Sequence, residues 1–269
     1  MGLRPRTPDR VMRFGVELAA LLNIELLGLF LDDIALRDFA AIPFAREFRP
    51  LGGGWHPIDT DRLTQELDLI VRATERAFLD AAKGLTVRSQ FEIVRGAAAD
   101  AIRAISDAND IVLIVEPDSA AERSTHQFLT LIESAFLSAA AVMLVPARIA
   151  PAGGPIVAIA FRENDPSIYA AAAIATAAKA DLIIVDAYKP TTHAQSELEL
   201  ATATGLKVQH LAAEKPWPML SPGPWPVLRH LRARLIVITR GDDDHQIAPI
   251  MVSAQRTPVL IVEPKSPQA

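Results

Sequence analysis

Nine short runs of aliphatic residues, most of them apolar at almost every position, constrain the fold of this chain. A strand with one solvated face alternates apolar and polar residues, whereas a strand covered on both faces is apolar throughout. Strands of the second kind are typical of parallel sheets that lie between two layers of helices. The runs lie at 24–31, 91–94, 111–115, 141–145, 155–161, 181–187, 206–211, 235–239 and 258–262.

Segments with helical periodicity and capping signals separate these runs. The segment 60–84 has an apolar face, and its pattern predicts a helix that begins at Thr60 or Asp61. The segment 165–180 opens with Asp165 as the predicted cap, followed by a proline in the first turn. Strands that alternate with helices indicate βαβ units and a mostly parallel sheet.

The sequence pattern indicates two copies of one α/β unit. The helix and strand at 18–32 align with those at 174–188, and the strand–helix–strand order recurs near the end of each copy. A linker-like segment, ARIAPAGG, lies between the copies. The predicted domains are therefore residues 1–149 and residues 150–269.

The first copy lacks a counterpart of one strand. In the second copy the run 155–161 precedes the first helix, but the first copy has only MGLRPR in that place. Pro5 has no N–H for a ladder, so a central strand is not predicted there. Three explanations stay open: the chain is truncated, another segment or chain fills the gap, or the first sheet has one strand fewer.

Composition excludes several classes of function. The 269 residues carry a net charge of −5 with no basic cluster, which argues against a nucleic-acid partner. There is no cysteine, so disulfides, thiol nucleophiles and thiolate metal sites are excluded. No signal peptide opens the chain and no apolar run is long enough to span a bilayer. These features predict a cytoplasmic protein without membrane insertion.

Four segments together resemble the universal stress protein family in its tandem two-domain form. They are VELAALLNIELLGLFLDD, AIPFAREF, FEIVRG and the closing TPVLIVEP. The resemblance implies two three-layer α/β domains of the adenine nucleotide α-hydrolase-like kind, the first without its N-terminal strand. Each would hold a parallel sheet in the order 3-2-1-4-5. It also implies a stress-response role and dimerisation through the last strands, either between chains as a homodimer or within this chain as a pseudo-dimer.

Some members of that family bind ATP, and this chain departs from their pattern. They use an acidic residue after strand one and a loop G-x2-G-x9-G-[ST] after strand four, whose glycines let the backbone approach the phosphates. Here no glycine occurs between Gly96 and Gly153. In the second copy Gly241 is followed by three aspartates, and Phe161 takes the place of the acid. We therefore expect no nucleotide cofactor, with ATP binding through an altered loop as the alternative.

Charged residues follow three strands of the first copy. Asp32, Arg95, Glu116 and Asp118 should meet at the carboxyl edge of the sheet, where ligands of such folds bind. They form a candidate ligand edge for a small polar molecule, and the alternative is that strand-end loops are simply polar. No catalytic or metal-binding constellation accompanies them.

Other motifs have structural interpretations. GDDDH (241–245) has carboxylates for a cation but fits a helix cap better. Ser124 with Gln127 fits a capping box, and GGGWHP (52–57) fits a loop with Trp55 packed inward. The segments 34–48 and 215–231 are rich in aromatic residues and proline. They either cover their own sheet or form an exposed docking surface.

Taken together, the sequence predicts a non-enzymatic, regulatory stress-response protein that acts through protein contacts or self-association. Two alternatives stay open: an adenine-nucleotide-binding protein, with or without weak ATPase activity, and a small-ligand sensor.

Overall fold

The computed structural model describes most of the chain. The described residues are 1–3, 7–32, 38–39, 41–49, 53–85, 87–117, 119–139, 141–149, 153–187, 205–212, 228, 231–241 and 256–263. The candidate Asp118, the aspartates of GDDDH and most of the segment 215–231 lie outside them.

All nine predicted strands are present, and the described helices lie between them. In chain order the elements are β1 (Gly2–Leu3), α1 (Asp9–Leu22), β2 (Leu26–Asp32), β3 (Arg46–Arg49), β4 (Gly54–Pro57), α2 (Thr60–Ala82), β5 (Ser89–Arg95), α3 (Ala98–Ile105), β6 (Ile111–Glu116), α4 (Ala120–Arg123), α5 (His126–Ser138), β7 (Ala141–Pro146), β8 (Ile156–Ala160), α6 (Pro166–Ala178), β9 (Leu182–Asp186), β10 (Val208–Ala212), β11 (Leu235–Thr239) and β12 (Val259–Val262).

The strands of the second copy lie in the order that the sequence resemblance implies. Their arrangement is β10-β9-β8-β11-β12, which is 3-2-1-4-5 in order of occurrence. All four neighbouring pairs are parallel. The chain crosses from one side of β8 to the other between the third and fourth strands, so the sheet has its topological switch point between β8 and β11.

The sheet continues through its last strand into the first copy. β12 pairs antiparallel with β7, with Val259 opposite Leu144 and Val262 opposite Ala141, and β7 pairs parallel with β6. The closing strand therefore pairs with its counterpart inside the chain. The division into domains at residues 149 and 150 stays a prediction, because this sheet runs through both copies without interruption.

The first copy holds only a fragment of its first strand. β1 has two residues where β8 has five, and it pairs parallel with β2 in a separate sheet of order β1-β2-β5. Met1 extends this pairing, because its amine donates to Leu27 O at 2.7 Å and its carbonyl accepts from Leu29 N at 2.8 Å. The sequence predicted no central strand in this segment, and the described residues instead contain the two-residue strand Gly2–Leu3.

Helices cover both faces of the large sheet, as the apolar strands predicted. Helices α3 and α5 pack on one face, and α1 and α6 pack on the other. Alanines line the buried side of α6, which lets this helix lie close to the strands.

A third cluster joins Met12, Phe30, Val71 and Phe78 beneath α2. The ring of Phe78 lies so close to Gly28 that a Cβ there would fall 2.8 Å from it.

One helix cap differs from the sequence prediction by one residue. Helix α2 begins at Thr60 as predicted, and Asp59 caps it by accepting from Arg62 N at 3.0 Å. Thr125 caps α5, so the capping box at Ser124 is wrong. Adjacent polar residues offer equivalent caps in sequence, and the backbone angle at which the chain enters the helix decides between them. Asp165 caps α6 as predicted.

No helix within the described residues is long and apolar enough to cross a membrane.

We expect stability to depend on pH through the amine of Met1. Burial lowers the pKa of this amine from 8.0 to about 6, and the nearby Asp110 carboxylate partly opposes the shift. Between pH 6 and 8 the unfolded chain binds more protons at this group than the folded chain, so stability rises with pH across this window. A shift of this size corresponds to about 2–3 kcal/mol, lost as pH falls from 8 to 6.

Urea unfolding of the free and the N-terminally acetylated chain between pH 5 and 9 measures this contribution. Acetylation removes the titrating group, so the acetylated chain should show the smaller rise between pH 6 and 8. Equal pH dependence in the two forms would contradict the assignment.

Candidate functional site

A closed polar network lies at the switch point of the second copy. The chain leaves β8 at Phe161 and enters α6 at Pro166, and Asp165 stands at the junction with only 1% of its surface exposed. One carboxylate oxygen of Asp165 accepts from Ser167 N at 3.0 Å, and the other accepts from Phe161 N at 3.0 Å. The side chain thus satisfies backbone donors of both the strand-end loop and the helix.

Thr239, the last residue of β11, completes the network. Its hydroxyl donates to Asp165 Oδ1 and accepts from Ser167 N at 3.0 Å. The hydroxyl of Ser167 turns back to donate to Ile159 O in β8 at 3.0 Å. Thr239 and Ser167 are also buried. The network therefore ties the ends of both switch-point strands to the first turn of α6.

This network places a fixed negative charge where a phosphate would be favoured in such folds. The N–H groups and positive dipole at a helix N-terminus attract anions. Here the carboxylate of Asp165 already accepts from the N–H of the first turn. The structure places Asp165 as the predicted cap of α6, and its carboxylate is buried.

Arg240, the cation that follows β11, is held away from this network by other contacts. Its Nη1 donates to Glu263 Oε1 at 2.7 Å and to Phe136 O at 2.7 Å, and its guanidinium lies 5.0 Å from the centre of the Phe136 ring. The side chain thus ties the ends of β11 and β12 to the last turn of α5. A guanidinium engaged in this way is not presented to an anion at the switch point.

The ligand edge predicted for the first copy is only partly assembled. Asp32 and Arg95 end neighbouring strands and form an ion pair at 3.4 Å, with Asp32 buried and Arg95 exposed. Glu116 is buried at the end of β6, which lies beyond β1 in the arrangement of the strands. The structure thus brings together Asp32 and Arg95 and leaves Glu116 two strand positions from β2. Whether this edge binds a ligand stays a prediction.

The turn after β6 is closed by its own arginine. Arg123 Nη1 donates to Pro117 O at 3.0 Å, so the side chain folds back over the strand end.

The N-cap position of α1 is Pro8, which supplies no side-chain cap. The two copies therefore differ at the helix that follows strand one, because only the second presents a buried carboxylate there.

A buried His–Asp pair, which sequence reasoning missed, lies on the far strands of the second copy. His210 Nδ1 lies 3.2 Å from Asp186 Oδ2, and both side chains are largely buried. The polar residue His210 inside an otherwise apolar run was the available signal. Its partner ends a neighbouring strand, a proximity that depends on the register of β9 and β10.

The β3–β4 hairpin carries aromatic side chains on its outer face. Phe48 pairs with Trp55 across the hairpin, and their ring centroids lie 5.4 Å apart with the planes tilted by 58°. Trp55 is 64% exposed, so the prediction that it packs inward is wrong. Glu47 and His56, the next pair, are less exposed than the aromatic pair. The usual distribution of apolar and polar residues is reversed in this hairpin.

The loop before the hairpin enlarges this apolar surface. Phe44 is 82% exposed, and Phe39 and Ile42 are exposed as well. We call Phe39, Ile42, Phe44, Phe48 and Trp55 the aromatic surface. Arg62 of α2 anchors it, since its guanidinium contacts Glu47 Oε1 at 2.6 Å. Of the two interpretations of the segment 34–48, its described part favours an exposed docking surface.

Within the described residues no group of three or more histidines, aspartates and glutamates is placed to hold a metal ion.

Comparison with solved structures identifies the fold. Over 98% of this chain and 96% of the other, the structure superposes on a universal stress protein from Archaeoglobus fulgidus DSM 4304 with a TM-score of 0.61 at 11% identity. A protein of Pseudomonas aeruginosa UCBPP-PA14, provisionally assigned to the universal stress proteins, matches with a TM-score of 0.50 at 16% identity. This match covers 98% of the present chain and 91% of the Pseudomonas chain. No family model and no curated protein matches the sequence.

The chain therefore has the universal stress protein fold, as the sequence resemblance implied. At these identities the likeness establishes the fold, and the site has to be interpreted from its own residues.

We expect loss of the Asp165 carboxylate to destabilise the protein strongly. Asp165→Ala leaves the N–H of Phe161 and the hydroxyl of Thr239 without their acceptor inside a buried site, at a cost of about 2–4 kcal/mol. Ser167 N–H would keep only the hydroxyl of Thr239 as its acceptor. Urea unfolding measures the change. The control is Asp59→Ala, which removes an exposed cap that accepts one N–H and should cost about 1 kcal/mol. Equal effects of the two substitutions would contradict the described network.

Proposed function

We propose that this chain is a non-enzymatic regulatory protein of the universal stress protein type that acts through protein contacts and does not bind ATP in the manner of the family. The observation that carries the proposal is the Asp165 network, which occupies the switch point of the second copy with a buried carboxylate. The stress-response role is supported by the shared fold.

Three features argue against a nucleotide at the second copy. Asp165 already accepts from the N–H of the first turn of α6. Its negative charge repels a phosphate at that place. Arg240, the nearest cation after β11, is engaged by Glu263 and Phe136 O.

The first copy has different obstacles. The loop after β6 contains no glycine, and Arg123 closes it by donating to Pro117 O. Strand one, after which the acidic residue of the ATP-binding members stands, is reduced to two residues. The sequence thus carries the glycine pattern of the ATP-binding members after neither β6 nor β11.

The aromatic surface supports a role in protein association. Its side chains are exposed and apolar, and aromatic residues are enriched at the centres of interfaces. We propose that its partner is a second copy of this chain. The β3–β4 hairpin is a two-stranded sheet, so both of its outer edges can pair with a further strand. In a dimer with a twofold axis, the hairpin of the second chain would also cover the aromatic face of the first.

The first test is calorimetric titration of the folded protein with ATP, ADP and AMP in the presence of Mg²⁺. We expect no measurable heat of binding at nucleotide concentrations up to about 1 mM, which corresponds to binding weaker than about −4 kcal/mol. Micromolar affinity for any of the three would overturn the proposal and favour the nucleotide-binding alternative.

The second test is the oligomeric state, measured by sedimentation equilibrium over a range of protein concentrations. We expect a dimer, and we expect Phe44→Ser with Phe48→Ser to raise its dissociation constant at least about tenfold because aromatic side chains dominate interface energies. The control is Leu137→Ser, which removes an apolar side chain that is 75% exposed on α5. A wild-type monomer, or equal weakening by the control, would contradict this role for the aromatic surface.

A further inference from the structure

Basic residues that are far apart in the sequence meet at one edge of the seven-stranded sheet. The parallel strands of the second copy begin at this edge, and β7 ends there because it pairs antiparallel with β12. Five cations stand just outside the strands at this edge, and we call them the basic edge: Arg148, Lys207, Arg232, Arg234 and Arg256. Their assembly depends on the order of the strands, so the sequence shows no basic cluster.

Backbone contacts hold two of these arginines side by side. Arg234 N donates to Pro155 O at 2.9 Å, just before β8. The hydroxyl of Thr257 donates to Ala233 O at 3.4 Å, which ties the segment before β12 to the segment before β11. Arg234 follows Ala233 and Arg256 precedes Thr257, so the two arginines are neighbours at the edge, and both line the same cleft.

The other three cations extend this edge. Arg148 follows β7 by two residues, and Lys207 comes immediately before β10. The carbonyl oxygen of Arg232 lies so close to Gly154 that a Cβ on this glycine would overlap it, which places Arg232 beside the bend before β8. All five side chains are exposed except that of Arg234, which is partly exposed.

The basic edge carries a surplus of positive charge on a chain whose net charge is −5. Three acids lie near it: the exposed Glu17 and Asp181, and the buried Glu116 at the end of β6. In the described part of the chain, neither Arg234 nor Arg256 forms an ion pair. Their guanidinium groups therefore have donors for an anion of a partner, and the local positive potential attracts one.

A cleft of about 30 Å³ lies beside these two arginines. Its walls are mostly apolar side chains, and Glu17, Arg234 and Arg256 complete its lining. A volume of about 10–15 Å³ holds one water-sized group, so the cleft has room for about two or three heavy atoms of a small aliphatic side chain. The apolar lining includes Phe14, Leu18, Leu21, Ile149, Ile156 and Ile174.

We propose that the basic edge and this cleft bind an acidic segment of a partner protein that carries a small aliphatic side chain among its carboxylates. Guanidinium groups pair with carboxylates through two parallel hydrogen bonds, which suits an acidic peptide. An aliphatic side chain in the cleft would anchor the segment and exclude water from the neighbouring ion pairs.

The apolar cleft favours a peptide over a nucleic acid. Phosphates would also pair with the arginines, but a nucleic acid has no aliphatic side chain to place in the cleft. Single-stranded nucleic acids bind by stacking their bases on exposed aromatic rings, and the aromatic surface lies on the first copy, in and before the β3–β4 hairpin. The basic edge is separate from the dimer proposed at the aromatic surface, so either proposal can fail without the other.

The test is calorimetric titration of the full-length chain with the peptide acetyl-Asp-Glu-Val-Asp-Glu-amide. We expect saturable binding at low salt, and an affinity that falls at least about tenfold between about 50 and 500 mM NaCl because salt screens the ion pairs. The neutral peptide acetyl-Asn-Gln-Val-Asn-Gln-amide should not bind. No binding of the acidic peptide at about 1 mM and low salt, or equal binding of the neutral peptide, would overturn the proposal.

A third peptide tests the role of the cleft. In acetyl-Asp-Glu-Ser-Asp-Glu-amide, serine replaces the valine and the charge is unchanged. We expect this peptide to bind several-fold more weakly, because the apolar cleft gains no hydrophobic contact from a hydroxyl. Equal affinity of the valine and serine peptides would overturn the part of the proposal that assigns an aliphatic side chain to the cleft.

A matched pair of double variants tests the location. Arg234→Gln with Arg256→Gln removes two cations of the basic edge, whereas Arg72→Gln with Arg76→Gln removes two exposed cations of α2. We expect only the first double variant to weaken peptide binding, by at least about tenfold. Equal affinities in the two double variants would contradict this site. The peptide comparisons on the wild-type chain test the proposal even where a variant fails to fold.

Two further measurements identify other occupants. Oligouridylate that displaces the peptide and binds more tightly would assign the basic edge to nucleic acid and overturn the proposal. Sedimentation equilibrium of the chain alone tests a second copy at this edge. Self-association that is lost in the Arg234→Gln, Arg256→Gln variant and retained in the Phe44→Ser, Phe48→Ser variant would assign the edge to a second copy and overturn the proposal. We expect neither result.

Discussion

The antiparallel pairing of β7 with β12 is the contact on which the rest of the structure depends. Each copy ends its large-sheet strands at this pair, so seven strands form one continuous sheet between two layers of helices. Strands buried on both faces carry apolar side chains on both sides, and an open edge there would expose unpaired backbone groups. Arg240 reinforces the junction, since it links the ends of β11 and β12 to α5 from the other copy.

Because buried strands need neighbours on both sides, the unusual feature of the fold is the break between β1 and β6, where the small sheet β1-β2-β5 and the seven-stranded sheet are not paired. Elsewhere in the large sheet every interior strand has a neighbour on both sides. At the break, two strand edges face a cavity, and the amine of Met1 is buried with a lowered pKa. Burying a group that would otherwise be charged costs free energy, and the lowered pKa of this amine reflects that cost.

Much of the fold could be predicted from the sequence because its strongest signals are local. All nine aliphatic runs are strands, and the cap at Asp165 is where the Asp-Pro pair indicated. The β3–β4 hairpin was missed, because its strands are short and its apolar residues face outward, so no buried pattern marks it. The pair His210–Asp186 and the bonds of Thr239 to Asp165 and Ser167 were missed because they join residues distant in sequence.

The candidate site was predicted less well for the same reason. Four charged residues at strand ends were expected to converge, and the fourth, Asp118, lies outside the described residues. For the other three, convergence depends on which strands are neighbours. Asp32 meets Arg95 because β2 and β5 are paired, whereas Glu116 ends a strand across the break.

The two copies differ at the helix that follows strand one. In the second copy the buried carboxylate of Asp165 holds backbone donors of the strand-end loop and of α6. In the first copy the helix has no such carboxylate, and the strand that would bring the loop into place is only two residues long. Substituting Asp165 alone would free donors without creating the phosphate loop of the ATP-binding members, because the segment after β11 has a single glycine, Gly241, followed by three aspartates.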